Sequence, residues 1–231
     1  MSVSLNKFIA GTGRCSRREA DRLIEAGRVL LNGEIAQRGN RVEPGDVVLL
    51  DGEALTEQPE TVYLALNKPP GITCTTDRSD PTNIIDYLNY PERIFPIGRL
   101  DKASTGLLLL TNDGDIVNKI LRVENAHEKE YIVTVNKNIN AAFLRKMAGG
   151  VPILGTVTKR CEVQKINART FRIILTQGLN RQIRRMCEFL GYEVRTLKRV
   201  RIMNVRLDQQ PEGELRELRE DELAVLMALV G

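Results

Sequence analysis

The chain has 231 residues, 42% of them hydrophobic, which is enough apolar material for a real core, and with 4% aromatics and no Trp that core is mainly aliphatic. No stretch of 18 apolar residues occurs, and the opening MSVSLNKFIAG lacks the basic-then-apolar pattern of a leader, so a membrane span is not expected and the protein is expected in the cytoplasm. Thirty-four Lys and Arg nearly balance 30 Asp and Glu, while a single His and four scattered Cys give no metal-finger spacing; reduced thiols, no metal site and no cofactor are expected.

The charge is unevenly spread. Residues 1–41 carry eight Lys/Arg and four Asp/Glu, residues 181–206 carry eight and two, and residues 207–231 carry two and seven. Concentrated positive charge suits a polyanion, because neutralised phosphates release condensed counterions. Either patch taken alone is equally compatible with a solvated charged face.

In chain order, Leu5, Phe8 and Ile9 give a first apolar helical pattern. Ser16 with Glu19 three residues on makes a capping box for a second helix, whose apolar face is Ala20, Leu23 and Ile24 and which ends at Gly27. Arg14, Arg18 and Arg22 are spaced i, i+4, i+8, and Arg17 adds to the same basic run. A strand at 29–31 turns at Asn32-Gly33, and Pro44-Gly45-Asp46 opens another at 47–50. This helix-helix-hairpin unit, residues 1–50, is followed by the polar DGEALTEQPET at 51–61, read as a linker.

A second domain, 62–231, then begins. Strand-like runs at 63–66, 95–97, 107–110, 131–135, 171–175 and 200–207 are separated by helical candidates near 83–89, 114–121, 140–148, 179–190 and 220–229. The strands do not alternate uniformly with helices, which argues for an α+β fold with a mixed, largely antiparallel sheet flanked by helices.

Between two apolar strands lies Pro96-Ile97-Gly98-Arg99-Leu100-Asp101-Lys102-Ala103-Ser104-Thr105-Gly106-Leu107, which puts a carboxylate in a glycine-flanked loop. Loops on a rigid sheet are where chemistry is usually mounted. Alone, Asp101 reads equally well as a turn cap and Arg99 as a surface cation. The loop has three companions, however: NKPPG at 67–71, Lys129-Glu130-Tyr131 opening a strand, and GLNRQIRRM at 178–186 opening a helix.

GRLD, KEY and RQIR in this order, with NKPPG upstream, resemble the RsuA-type pseudouridine synthases over nearly the whole chain. CSRREADRLIEAGRVLLNG in the first unit resembles the alpha-L RNA-binding domain. GVPILGTVTK at 150–159, QGLNRQIRRMCEFLGYEV at 177–194 and RIMNV at 201–205 are most similar to the branch of the family that acts on large-subunit ribosomal RNA. Members of that branch can carry a basic C-terminal tail, and the acidic segment ending at Gly231 departs from it.

The resemblance implies a catalytic carboxylate at Asp101, a guanidinium partner at Arg184, and Tyr131 packed near the base and able to shuttle a proton. Converting uridine to pseudouridine breaks a glycosidic bond and forms a carbon bond, which calls for a carboxylate against the sugar and a base for the final proton, with no metal or redox group. A carboxylate in a water-poor pocket tends to protonate unless a cation lies beside it, and an Arg stays charged and engages both oxygens. The uridine must be extruded from folded RNA. Arg99 is placed to fill the gap or hold a phosphate, while Lys68, Lys102, Arg181 and Arg185, with the basic run of the first domain, are candidate RNA contacts. The expected partner is structured ribosomal RNA, with transfer RNA as the alternative, bound by a monomer.

Two other classes compete. A non-catalytic RNA-binding or ribosome-assembly factor explains the basic patches but not Asp101, Tyr131 and Arg184 together. A methyltransferase needs a glycine-rich loop after a first strand, and Gly11-Thr12-Gly13 is too short and follows a helix.

Overall fold

The computed structural model describes residues 2–55, 59–122 and 126–231; Thr56, Glu57 and Gln58 of the expected linker lie outside the described residues. The chain divides into two compact units, one of Met1–Val62 with Tyr90–Ile94 and Asn112–Gly114, the other of Tyr63–Asn89, Phe95–Thr111 and Asp115–Gly231. The second unit is thus interrupted by two short excursions, where one unbroken stretch from 62 to 231 was expected.

The first unit runs β1 (Val3–Ser4), α1 (Leu5–Gly11), α2 (Arg17–Glu25), β2 (Val29–Leu31), β3 (Glu34–Ile35), β4 (Arg41–Val42), β5 (Val48–Leu50) and β6 (Glu53–Ala54). Ser16 caps α2 by accepting the Glu19 N–H at 3.1 Å, and Leu5, Ile9, Ala20, Leu23 and Ile24 bury the facing sides of the two helices. Two hairpins complete the unit. Their two-residue turns, Asn32-Gly33 and Asp51-Gly52, have positive φ at both positions (53° and 86°; 52° and 85°), the geometry that matches strand twist. The second turn corrects the linker assignment: β6 pairs with β5 and Leu55 is buried in this core.

The second unit runs β7 (Tyr63–Lys68), α3 (Ile84–Leu88), β8 (Phe95–Ile97), β9 (Thr105–Thr111), α4 (Gly114–Leu121), β10 (Lys129–Val135), α5 (Ala141–Gly149), β11 (Pro152–Ile153), β12 (Thr156–Val157), β13 (Glu162–Lys165), β14 (Thr170–Leu175), α6 (Gln182–Phe189), β15 (Val194–Ile202), β16 (Val205–Arg206), β17 (Leu215–Glu217) and α7 (Glu220–Val230). Among the described residues nine of these strands build one sheet, ordered β13-β14-β10-β15-β9-β7-β17, with β8 on β9 and β16 on β15, while β11 and β12 pair separately. Every pairing is antiparallel except β9 with β15, so the sheet is mixed and mostly antiparallel.

Leu107, Leu108, Leu109 and Leu110 are all buried, as in a strand covered on both faces. Fully burying such side chains contributes about 1.5–3 kcal/mol each, so packing holds β9 in place. One core joins α5 and α6 to β10 and β14 through Phe143, Met147, Ile183, Met186, Phe171 and Ile173. A second joins α4 and α7 to β9 through Ile116, Ile120, Leu226, Val230, Leu107 and Leu109. The acidic end of the chain therefore includes a structural helix, α7, whose Glu220 and Asp221 are exposed while Glu222 is buried against Arg216 and Arg219.

Candidate active site

Residues 98–104 connect the antiparallel pair β8 and β9 and carry Asp101. Gly98 enters this loop at φ 76°, and Gly106 leaves it at φ 100° where β9 meets β15. A Cβ on Gly106 would stand 2.2 Å from the Arg199 carbonyl oxygen, so only glycine permits that approach. Within the loop the Ser104 N–H donates to the Asp101 carbonyl at 2.9 Å, and the Gly71 N–H to the Lys102 carbonyl at 2.8 Å. From β7, the fully buried Lys68 ammonium donates to the carbonyls of Pro69 (2.8 Å), Ser104 (2.9 Å) and Lys102 (3.3 Å), tying NKPPG to the loop.

On α6 the guanidinium of Arg184 faces the loop. Its Nε lies 3.4 Å from Asp101 Oδ2, and its Nη2 donates to Ser104 Oγ at 3.1 Å. Both side chains are partly enclosed, 15% exposed for Arg184 and 30% for Asp101. Such a pair is worth about 4 kcal/mol at an effective dielectric near 20, and desolvation of two ions takes back much of it. The contact is electrostatic, since Nε has no hydrogen-bond partner among the described residues, and it sets a positive charge beside the carboxylate.

The pair opens onto a cavity of about 570 Å³, also lined by Tyr131. Among the described residues, six cations line it, Arg99, Lys102, Lys129, Arg181, Arg184 and Arg199, against the single carboxylate of Asp101. That surplus fits a ligand bearing a phosphate, and the volume is in the range of nucleotide-sized sites. Burial pushes the Lys129 ammonium below the usual lysine value, and the Arg199 guanidinium acts in the same direction.

Asp101, Tyr131 and Arg184 thus surround one cavity, and Arg99, Lys102 and Arg181 line it as well. Arg185 does not: its guanidinium donates to the backbone and side-chain oxygens of Asn180 at 3.1 and 3.2 Å, bracing the turn before α6. Lys68, read as an RNA contact, is corrected to a buried brace, since its ammonium has no exposure to offer a phosphate. In the first unit Arg17, Arg18 and Arg22 lie exposed on α2, whereas Arg14 precedes the helix because Ser16 begins it. Arg14 pairs with Glu53 at 3.1 Å and Arg22 with Glu19 at 3.2 Å, so the i, i+4, i+8 line is not realised.

Lys129, Ser104 and Arg199 also line the cavity, and the sequence pattern assigns them no role. Lys129 was detectable, because residues two apart on a strand share a face and Tyr131 follows it by two. Arg199 was not, because the register between β10 and β15 slips at Glu130/Tyr131, which brings Arg199 opposite Tyr131.

A sequence profile for RNA pseudouridylate synthases matches residues 62–189, and one for the S4 domain matches residues 3–48. The chain is 58% identical to the dual-specificity RNA pseudouridine synthase RluF of Escherichia coli K12, across 99% of this chain and 80% of that protein. It is 36% identical to the ribosomal large subunit pseudouridine synthase B of Bacillus subtilis, across 97% and 96%. A crystal structure of a pseudouridylate synthase superposes with a TM-score of 0.71 at 32% identity, covering 97% of this chain and 99% of that one.

Proposed function

Since the chain belongs to the RNA pseudouridylate synthase family, it is an isomerase that converts uridine to pseudouridine in RNA, and we propose that its target lies in large-subunit ribosomal RNA with Asp101 as the nucleophile. The observation carrying the assignment of Asp101 is its pairing with Arg184 at 3.4 Å inside a cavity whose other charged lining residues, among those described, are all cations. The target RNA rests on the Bacillus subtilis relative, named for the large ribosomal subunit, and on the S4 domain at residues 3–48.

An extruded uridine enters the cavity with its phosphate among Arg99, Lys102 and Arg181, and its base against Tyr131. An Asp101 oxygen attacks C1′ as the C1′–N1 pair departs onto the uracil. Arg184 sets its positive charge beside the carboxylate through Nε and steadies Ser104 through Nη2. The freed uracil turns so that C5 faces C1′; C5 bonds to C1′ and the carboxylate leaves. Proximity in an enclosed pocket makes the second bond effectively unimolecular. The dual specificity in the name of the Escherichia coli relative favours a second RNA, which we take to be transfer RNA. We read the enzyme as a cytoplasmic monomer.

Ribosomal RNA labelled with tritium at uracil C5 tests this. The wild type should release tritium to water and Asp101→Asn none, while both shift the RNA equally in a gel. Release by Asp101→Asn at the wild-type rate would remove Asp101 from the reaction.

A further inference from the structure

Lys129 sits two residues before Tyr131 on β10, on the same face of the strand, and lines the same cavity. Its cross-strand partners are Leu175 and Ile202, both apolar and both in the cavity wall. Among the described residues its Nζ donates only to the His127 carbonyl, at a long 3.3 Å, and forms no ion pair. Lys129 is part-buried, and an ammonium withdrawn from water without a counterion is driven toward its neutral form; burial together with Arg199 on β15 acts in that direction here. The other titratable or charged groups around the cavity are Tyr131 on the same strand, the buried thiol of Cys74, Arg99, Asp101 and Lys102 in the 98–104 loop, Arg181 before α6 and Arg184 on it. Of these only Asp101 favours the ammonium, and it is engaged by Arg184.

We propose that Lys129 is the general base that removes the C5 proton in the last step of the isomerisation, an inference resting on the reading of Asp101 and this cavity as the reaction centre. Once C5 has bonded to C1′, C5 is tetrahedral and carries both the sugar and its original hydrogen. The C5–H bond breaks and its proton passes to the neutral Lys129 amine, giving an ammonium. The bond's electron pair forms C5=C6, and the N1=C6 pair moves onto N1, which takes a proton from water. Lys129 then returns its proton to solvent, leaving the sum an isomerisation. In this assignment Tyr131 packs against the base while the lysine takes the hydrogen.

The test follows turnover of RNA carrying C5-tritiated or C5-deuterated uridine by wild type, Lys129→Met and Lys129→Arg, alongside gel shifts. A well-placed general base contributes about 100-fold or more, so both variants should lose about that much in kcat with KM and RNA affinity unchanged. A primary deuterium isotope effect should emerge as proton loss becomes limiting. The active form is the neutral amine, so the wild-type rate should climb with pH to a plateau. Lys129→Arg, which keeps the charge and a similar length, should lose that limb. Wild-type kcat in both variants, or a slow Lys129→Met with neither isotope effect nor altered pH profile, would overturn the role of Lys129 alone. Absence of tritium release by the wild type would instead bring down the underlying reading and this one with it.

Discussion

Replacing Lys68 with Met separates positioning from stability. The ammonium has no solvent exposure and donates to the carbonyls of Pro69, Lys102 and Ser104 at 2.8, 3.3 and 2.9 Å. Each bond to a charged donor is worth about 1.5–3 kcal/mol, but burying the ammonium costs several kcal/mol. Burial also pulls its pKa down, the sign of that cost. The two effects nearly cancel, so Lys68→Met should destabilise by only about 1–3 kcal/mol, a few degrees in Tm at roughly 2–4 °C per kcal/mol. The loop it releases flanks Asp101 on the C-terminal side, where a shift of about 1 Å in a reacting group costs about 100-fold. Calorimetry, tritium release and gel shifts on one preparation should therefore give a small loss of Tm, about a hundredfold loss of kcat and unchanged RNA affinity. Wild-type kcat in a folded Lys68→Met protein would refute the bracing argument.

Gly106→Ala places a methyl 2.2 and 2.8 Å from the Arg199 carbonyl oxygen and amide nitrogen at φ 100°. A backbone clash inside a sheet is costly, more than about 4 kcal/mol, so thermal unfolding should show a collapse in stability, and a near-native Tm would contradict the close β9–β15 approach. Arg14, Arg18 and Arg22 are exposed, and the two surface ion pairs among them are worth about 0–1 kcal/mol, so phosphates can displace their carboxylates. The triple alanine variant should reduce the slope of log affinity against log salt by up to about 2.7, at 0.9 per phosphate; an unchanged slope would deny this face a role in RNA binding. Burial alone would raise the Glu130 carboxyl, but Arg172 at 2.7 Å and Arg201 at 2.8 Å overcome it and hold the group below the usual range. A depressed carboxylate stabilises fully above its unfolded value near 4.3 and loses that contribution as pH falls through the folded value. Glu130→Gln should cost about 3 kcal/mol at neutral pH, and the gap to wild type should close in acid; a gap independent of pH would contradict the linkage.

The chemistry was legible because its parts sit on local signals. A glycine-flanked loop, a strand opened by Lys-Glu-Tyr and a helix begun by RQIR each occupy one short segment, and the sheet brings them together. Arg184 could be separated from the apolar stripe of Ile183, Met186 and Cys187 by helical period alone, and those three are buried as that period requires. Failures occurred both where a local turn signal was passed over and where distant contacts decided the outcome. Asp51-Gly52 looked like the start of a polar linker, yet it is a hairpin turn, because β5 offered an edge for β6. Lys68 carries a residue type associated with phosphate binding, but it is consumed by carbonyls 34 and 36 residues away in sequence. Arg199 came to the cavity through a slip in strand register, which no periodicity reports.

The central claim is that the Asp101 carboxylate, paired with Arg184, meets the sugar of an extruded uridine. A crystal structure of the enzyme with RNA bearing 5-fluorouridine at the target position tests it most directly. The nucleotide should be found unstacked in the cavity, its base against Tyr131, and its C1′ bonded to Asp101 Oδ2 or within the 3–3.5 Å or so of a near-attack geometry. A target nucleotide still stacked in the RNA, or bound with its sugar remote from Asp101 while Arg184 turns to a phosphate, would contradict the account.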